Sequence, residues 1–270
     1  MRFRYAVILL IYYLLVVLPH EHVGAFLASI FLPGSRLRYN GIMLAVFIAF
    51  LFGVGIWVWR KVKPRHRKLL LGYTLLTILL ISICINVLFV LNVEAIHFIQ
   101  YAVFAIICFQ ITNSYFKTMF WSTVAGVVDE LYQYVYLAPQ RSEYYDFNDV
   151  LINAVGAGIG LIILRAVRNE SKHVNFRRLL KSTEFYFSLS VFILLIIGFG
   201  TGYISYGPDL TASFCFIKIE QLDFWHEVPP KIKFHVVNPL EGLFFMFMII
   251  GIYSGLQQGS VDISKLSANN

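Results

Sequence analysis

Val150-Leu-Ile-Asn-Ala-Val-Gly-Ala-Gly-Ile-Gly-Leu-Ile-Ile-Leu-Arg165 carries a single polar side chain, Asn153, before it reaches Arg165. A run of this kind approaches the roughly 20 apolar residues that a helix needs to cross a bilayer. Its glycines, Gly156 and Gly160, form a G-x-x-x-G step that lets a neighbouring helix come close, so that van der Waals contact replaces the missing hydrophobic drive. The spacing predicts packing that brings Asp149 and Asn153 against the preceding apolar helix.

The rest of the chain is of the same kind. Its 270 residues are 59% hydrophobic, 17% aromatic and only 14% charged, with a mean hydropathy of +0.72. Soluble domains carry about 25% charged residues, so this composition excludes a soluble globular enzyme, a disordered tail and a disulfide scaffold. Eight apolar stretches are predicted as spans: Tyr5–Leu18, Gly41–Trp59, Leu69–Asn92, Ala95–Thr112, Thr118–Tyr136, Val150–Arg165, Phe185–Tyr203 and Leu240–Tyr253. The expected fold class is an all-α polytopic transmembrane bundle whose principal partner is the lipid bilayer.

The net charge of +7 does not point to nucleic acid, because Lys and Arg fall in short runs between apolar stretches and form no single basic face. Their distribution instead sets a topology. With both termini cytoplasmic, 16 of the 22 basic residues lie inside, including Arg2, Arg4, the run Arg60–Lys68, and Arg165 with the connection after it. The acids divide the other way, 12 of 15 lying outside. The first span has the basic start, apolar run and small residues (Val23-Gly24-Ala25) of a secretory leader, but the cleavage site is poor and the span is read as retained. Cys84, Cys108 and Cys215 have neither zinc nor redox spacing and are read as inert thiols. His20 and His22 flank an acid near the interface and are read as solvated, not as metal ligands. The longest outer segment, 205–239, alternates in Ser213–Glu220 and again in Lys231–His235, with Val228-Pro-Pro230 between them, and is expected to form a small external cap with a β-hairpin.

Ionisable groups inside spans cost about 2.5–3.5 kcal/mol each on insertion scales, so they persist where they pair or act. Here they concentrate between residues 94 and 153. Glu94 and His97 open the fourth span, with Tyr101 one turn beyond His97 on the same face. Glu130 and Gln133 end the fifth span, Arg141 lies in the loop, and Asp149 and Asn153 open the sixth. The topology was set by Lys and Arg alone, yet it brings all of these groups to one outer membrane level.

These residues resemble the VanZ-like family. The resemblance is carried by His97-Phe-Ile-Gln-Tyr101, Glu130-Leu-Tyr-Gln133, Arg141 and Asp149-Val-Leu-Ile-Asn153-Ala-Val-Gly156, in that order, over about residues 70–165. One departure is the segment before the His: Asn92-Val-Glu94 stands where the family usually has an Asp-Lys pair. The resemblance implies a multi-pass protein of the cytoplasmic membrane linked to the cell envelope, since founding members are accessory proteins of low-level glycopeptide resistance. It divides the chain into residues 1–68, an N-terminal pair of spans; 69–165, a VanZ-like four-helix unit; and 166–270, a C-terminal pair with the external loop.

Four roles fit the cluster. In the favoured one it is an outward-facing pocket for a lipid-linked cell-wall precursor or glycopeptide-type ligand. Arg141 would hold a phosphate or carboxylate, and Glu94, Tyr101, Gln133 and Asn153 would complete the ligand contacts. Interfacial aromatics such as Tyr132, Tyr134, Tyr144 and Tyr145 suit sugars. A membrane-embedded enzyme would use His97, Glu130 and Asp149 as acid and base or as ligands of a divalent metal. A proton-coupled transporter would use Glu130, and a structural knot would pair Glu130 and Asp149 with Arg141. The motifs identify no cofactor. The topology is open to direct measurement: with Cys215 replaced, cysteines introduced at Ser142 or Thr211 should react with an impermeant thiol reagent on intact cells, and one at Ser171 should not. Labelling at Ser171 alone would invert the orientation.

Overall fold

The computed structural model of the protein describes residues 2–19, 26, 29, 36–62, 64–90, 92–137, 143–168, 181–209, 211–219, 223–228 and 232–257. Arg141, His20 and His22 lie outside the described residues. Among those described there are eight α-helices: α1 (Arg2–Tyr12), α2 (Arg36–Lys61), α3 (Pro64–Ile83), α4 (Ile96–Thr112), α5 (Tyr115–Tyr132), α6 (Phe147–Arg168), α7 (Thr183–Gly200) and α8 (Pro239–Ser254). Each matches one predicted apolar stretch. α1, α3 and α5 run on into single π-helical turns at Tyr13–Val17, Cys84–Leu88 and Gln133–Leu137.

Local chemistry sets several boundaries. Asn113 ends α4 in the left-handed region at φ 49°, which Asn tolerates better than most side chains. Ser114 then caps α5 by accepting from the Lys117 amide, so the link between α4 and α5 is only two residues long. Asp146 Oδ1 accepts from the amides of Asn148 and Asp149 at the start of α6. Asn238 and Glu241 form a reciprocal capping box on α8, with Pro239 in its first turn.

Of the eight stretches expected to span, three are, among the described residues, long and apolar enough to cross a bilayer: Arg67–Leu88, Phe147–Arg168 and Thr183–Gly200. Leu44–Trp57, Ile96–Thr112 and Pro239–Ser254 are apolar but shorter, and α5 carries Lys117, Asp129 and Glu130 within its length. The three long segments have different surroundings. The apolar window of α6 is 89% buried, against 22% for Arg67–Leu88 and 11% for α7. α6 is therefore the central post of the bundle, while α7 turns Phe192, Leu194 and Ile196 outward. An apolar face of that kind suits hydrocarbon and not water. α7 is held to the bundle at its polar end, where Glu184 pairs with Lys117 at 3.0 Å and accepts from the Trp121 indole at 3.1 Å.

The glycine step is used differently from its predicted role. A Cβ on Gly156 would lie 2.8 Å from both Cα and the carbonyl oxygen of Phe98, and one on Gly160 would strike the Ala102 carbonyl oxygen. The step therefore seats α6 on the backbone of α4, the fourth span and not the fifth. The matched advance, Gly156 on Phe98 and Gly160 on Ala102, makes α4 and α6 parallel. Contact with α5 is made instead through Gly126, whose Cβ would be 3.2 Å from that of Asn153.

Segment 204–235 contains two small sheets. Ile204-Ser205 (β1) pairs in parallel with Phe214-Cys215 (β2). Trp225–Val228 (β3) pairs antiparallel with Ile232–His235 (β4). The alternating Ile232–His235 finds its antiparallel partner in Trp225–Val228, while Phe214-Cys215 pairs with Ile204-Ser205. Arg165, counted from sequence among the connecting basic residues, is fully buried.

The glycine contacts predict opposite responses to one substitution. Gly160→Ala drives a methyl into backbone that cannot rotate away, and should destabilise by about 1–3 kcal/mol. Gly72→Ala on α3 meets nothing within 4 Å, and should be neutral or stabilise by up to about 1 kcal/mol. Unfolding in detergent micelles measures both. Equal effects would show that α4 and α6 do not touch in this way.

Candidate functional site

The first residues of α4 and α6 and the last turn of α5 meet at one end of the bundle. His97 sits in the first turn of α4, 3% exposed. Its Nδ1 lies 2.8 Å from Asn153 Oδ1 on α6, and its Nε2 lies 3.7 Å from Asp149 Oδ2, one turn nearer the helix start. Because an amide oxygen only accepts, the neutral ring carries its proton on Nδ1 and presents the Nε2 lone pair. That nitrogen is turned toward Asp149. Asn153 is fully buried, and its Nδ2, set against Gly126, has no hydrogen-bond partner among the described residues.

α5 supplies the acids. Gly126 opposes Asn153, and α5 runs antiparallel to α6. One turn beyond Gly126 lies Glu130, and one turn before Asn153 lies Asp149, so the two carboxylates stand at the same level of neighbouring helices. Glu130 is 3% exposed and accepts from Gln133 Nε2 at 3.0 Å within its own helix. Asp129 is fully buried and accepts from the Tyr101 hydroxyl at 3.3 Å. The Tyr13 hydroxyl reaches the Ala125 carbonyl at 2.9 Å, binding the end of α1 to the same region.

The mouth is lined by the segment leading into α6. Asp149 is the most open of the central three groups, its side chain 18% exposed. Tyr144, outside the spans, has its phenol pushed well up, first by burial and then by Asp146, Asp149, Glu143 and Glu94 in that order. This end of the bundle is accordingly rich in negative charge. Residues 143–145 are stitched to 216–218: the Tyr145 amide donates to the Phe216 carbonyl and the Lys218 amide to the Glu143 carbonyl, both at 2.8 Å. The Tyr134 hydroxyl donates to the Cys215 carbonyl at 2.6 Å, and Lys218 Nζ stands 4.0 Å from the centre of the Tyr134 ring. Residues 215–218 therefore lie against the end of α5 and the segment leading into α6.

Of the residues singled out from sequence, His97, Asp149 and Asn153 are in direct contact. Glu130 and Gln133 stand beside them on α5 and bond to each other. Tyr101 lies deeper, fully buried on Asp129. Glu94 is at the rim and accepts from the Val90 amide, at 3.2 and 3.3 Å to its two oxygens, which fixes the turn before α4. The metal alternative finds no support in the geometry: among the described residues no group of three His, Cys, Asp or Glu side chains is gathered to hold an ion. Asp129, Tyr13 and Gly126 were not identified from sequence. Asp129 adjoins Glu130, and helical periodicity alone assigns the bundle face to one of two neighbouring acids; the available signal was Gly126, a small residue one turn earlier.

Fold and site together define a helical membrane protein with a polar cluster between three helix ends. A family model described as VanZ/LLP1 matches residues 6–168, more than half of the chain. The chain belongs to the VanZ/LLP1 family. The match starts at residue 6, so it takes in α1 and α2 as well as the 70–165 unit that carried the resemblance, and it contains every residue of the central cluster. Neither the curated proteins nor the solved structures contain a match.

The Tyr101–Asp129 bond is expected to hold the floor of the site. Tyr101→Phe removes the phenol donor from a buried carboxylate and should destabilise by about 1–3 kcal/mol. Tyr136→Phe, at a position 74% exposed, should leave the unfolding midpoint unchanged. No difference between the two would show that the buried pair does not contribute.

Proposed function

We propose that this protein is a multi-pass protein of the cytoplasmic membrane, both termini inside, whose His97–Asp149–Asn153 cluster faces outward and binds the headgroup of a lipid-linked cell-envelope component. The orientation rests on the excess of Lys and Arg on the opposite side. The observation that carries the binding role is the meeting of His97 Nε2 and Asp149 Oδ2 at 3.7 Å. An imidazole and a carboxylate meeting at the partly open end of a buried cluster suit a sugar or peptide headgroup, whose hydroxyls and amides bond to groups of both kinds. The Asn153 Nδ2 donor, Glu130 and Gln133 lie one turn away to complete the contacts, and Arg141 is assigned to a phosphate or carboxylate of the same ligand. A role as accessory factor in glycopeptide resistance is consistent with such a ligand.

A second function, chemistry on the bound headgroup, is favoured by one feature. Asn153 fixes the tautomer of His97 so that Nε2 is the basic atom, the position a general base requires toward a ligand hydroxyl. A purely structural knot accounts well for Tyr101 with Asp129 and for Gln133 with Glu130. It does not call for a partly exposed carboxylate beside a buried imidazole at the end of the bundle.

Asp149→Asn and His97→Gln keep size and hydrogen-bonding capacity while changing the carboxylate and the imidazole. Both should abolish the envelope phenotype, read as glycopeptide susceptibility normalised to protein level, at near-normal expression. Glu130→Gln should reduce it. Wild-type function in all three would reduce the cluster to packing.

A further inference from the structure

A cavity lies in the other half of the bundle, away from the His97 cluster. It measures about 590 Å³, within the range of small-ligand sites, roughly 300–1,000 Å³. Its walls come from α2, α3 and the second half of α6, with Gly55, Ile78 and Ile159 among them. The polar wall atoms are turned away: Thr74 donates to the Leu70 carbonyl and Thr77 to the Tyr73 carbonyl, within their own helix. The interior surface is therefore hydrocarbon-like. On the outer wall, Phe52 is 69% exposed and Leu71 48%, so the cavity opens sideways toward the surroundings of the bundle and not toward either end.

One end of this slot is basic. Arg60 and Arg67 line it beside Trp59, and the Arg67 guanidinium stacks 5.1 Å from the Trp59 ring centre. Arg67 Nε is buried with no hydrogen-bond partner among the described residues. No carboxylate of the described residues pairs with either arginine. Both belong to the basic run 60–68. A lateral apolar slot ending in two arginines and an interfacial tryptophan has the shape and charge order of an anionic lipid: acyl chain along the slot, phosphate at the guanidiniums.

We propose that the α2–α3–α6 cavity is a binding site for an anionic phospholipid of the leaflet at the Arg60–Lys68 end, with an acyl chain beside Gly55 and Ile159 and the phosphate on Arg60 and Arg67. In the orientation given above this is the cytoplasmic leaflet, on the opposite side from the headgroup site. The two sites are independent, and either can stand without the other.

The full chain is reconstituted in nanodiscs of equal phosphatidylglycerol and phosphatidylcholine, then transferred to detergent. The lipid that stays bound is measured by native mass spectrometry. Wild type should retain phosphatidylglycerol at least fivefold over phosphatidylcholine. Gly55→Leu places a side chain where a Cβ meets nothing within 4 Å, fills the slot without backbone clash, and should remove retained lipid of both kinds while the unfolding midpoint in lipid-free detergent does not fall. Arg67→Gln should bring the preference close to one, and Arg60→Gln, at an exposed position, reports the same effect should Arg67→Gln fail to fold. Equal retention of the two lipids by wild type, retention unchanged in Gly55→Leu, or a dimer of the chain carrying no lipid would each overturn the proposal.

Discussion

The contact on which this molecule depends is backbone against backbone: α6 resting on α4 through Gly156 and Gly160. A side chain at either position would meet the Phe98 or Ala102 main chain. In a hydrocarbon surrounding, where water expulsion between helices contributes little, such proximity supplies association through dispersion. It also fixes a parallel register in which His97 faces Asn153 and Asp149. Had the two helices been held apart by Ala or Leu, the 2.8 Å bond between His97 and Asn153 would be out of reach.

From that contact the polar groups sort themselves by depth. Deep in the bundle, charge and dipole are closed off in pairs, as Tyr101 serves Asp129 and Gln133 serves Glu130. Leaving either acid without its donor would cost far more in this surrounding than in water. Toward the end of the helices Asp149 keeps some exposure and stands 3.7 Å from the His97 imidazole. The paired groups form the floor of the cluster, and His97 and Asp149 lie above them.

The ends of the bundle differ in kind. At the His97 end, carboxylates gather about Tyr144, and Phe214 and Phe216 extend the core: Phe214 packs on Tyr134, and Phe216 on Tyr145 and Phe147. At the other end, Arg60 and Arg67 border an apolar slot. α6, enclosed along most of its length, joins the two, while α7 presents its apolar face outward.

Much of this was legible in the amino-acid sequence, for a physical reason. Hydrophobic runs and the placement of Lys and Arg are one-dimensional quantities, so the helix order, the membrane class and the shared level of His97, Glu130, Asp149 and Asn153 follow from counting along the chain. The G-x-x-x-G step announces a close approach but not its partner, because every neighbouring helix is apolar; packing alone chose α4. The same limit hid Asp129, since the face that α5 buries is wide enough to take two adjacent acids while Val128 and Leu131 stay exposed. Alternation in 213–220 announced a strand but not its pairing, which went to Ile204-Ser205. Sequence determined which chemistry is present and at what depth. Only the tertiary structure decided which groups touch, because contacts between helices depend on rotation and register, and a linear pattern specifies these only to within a face.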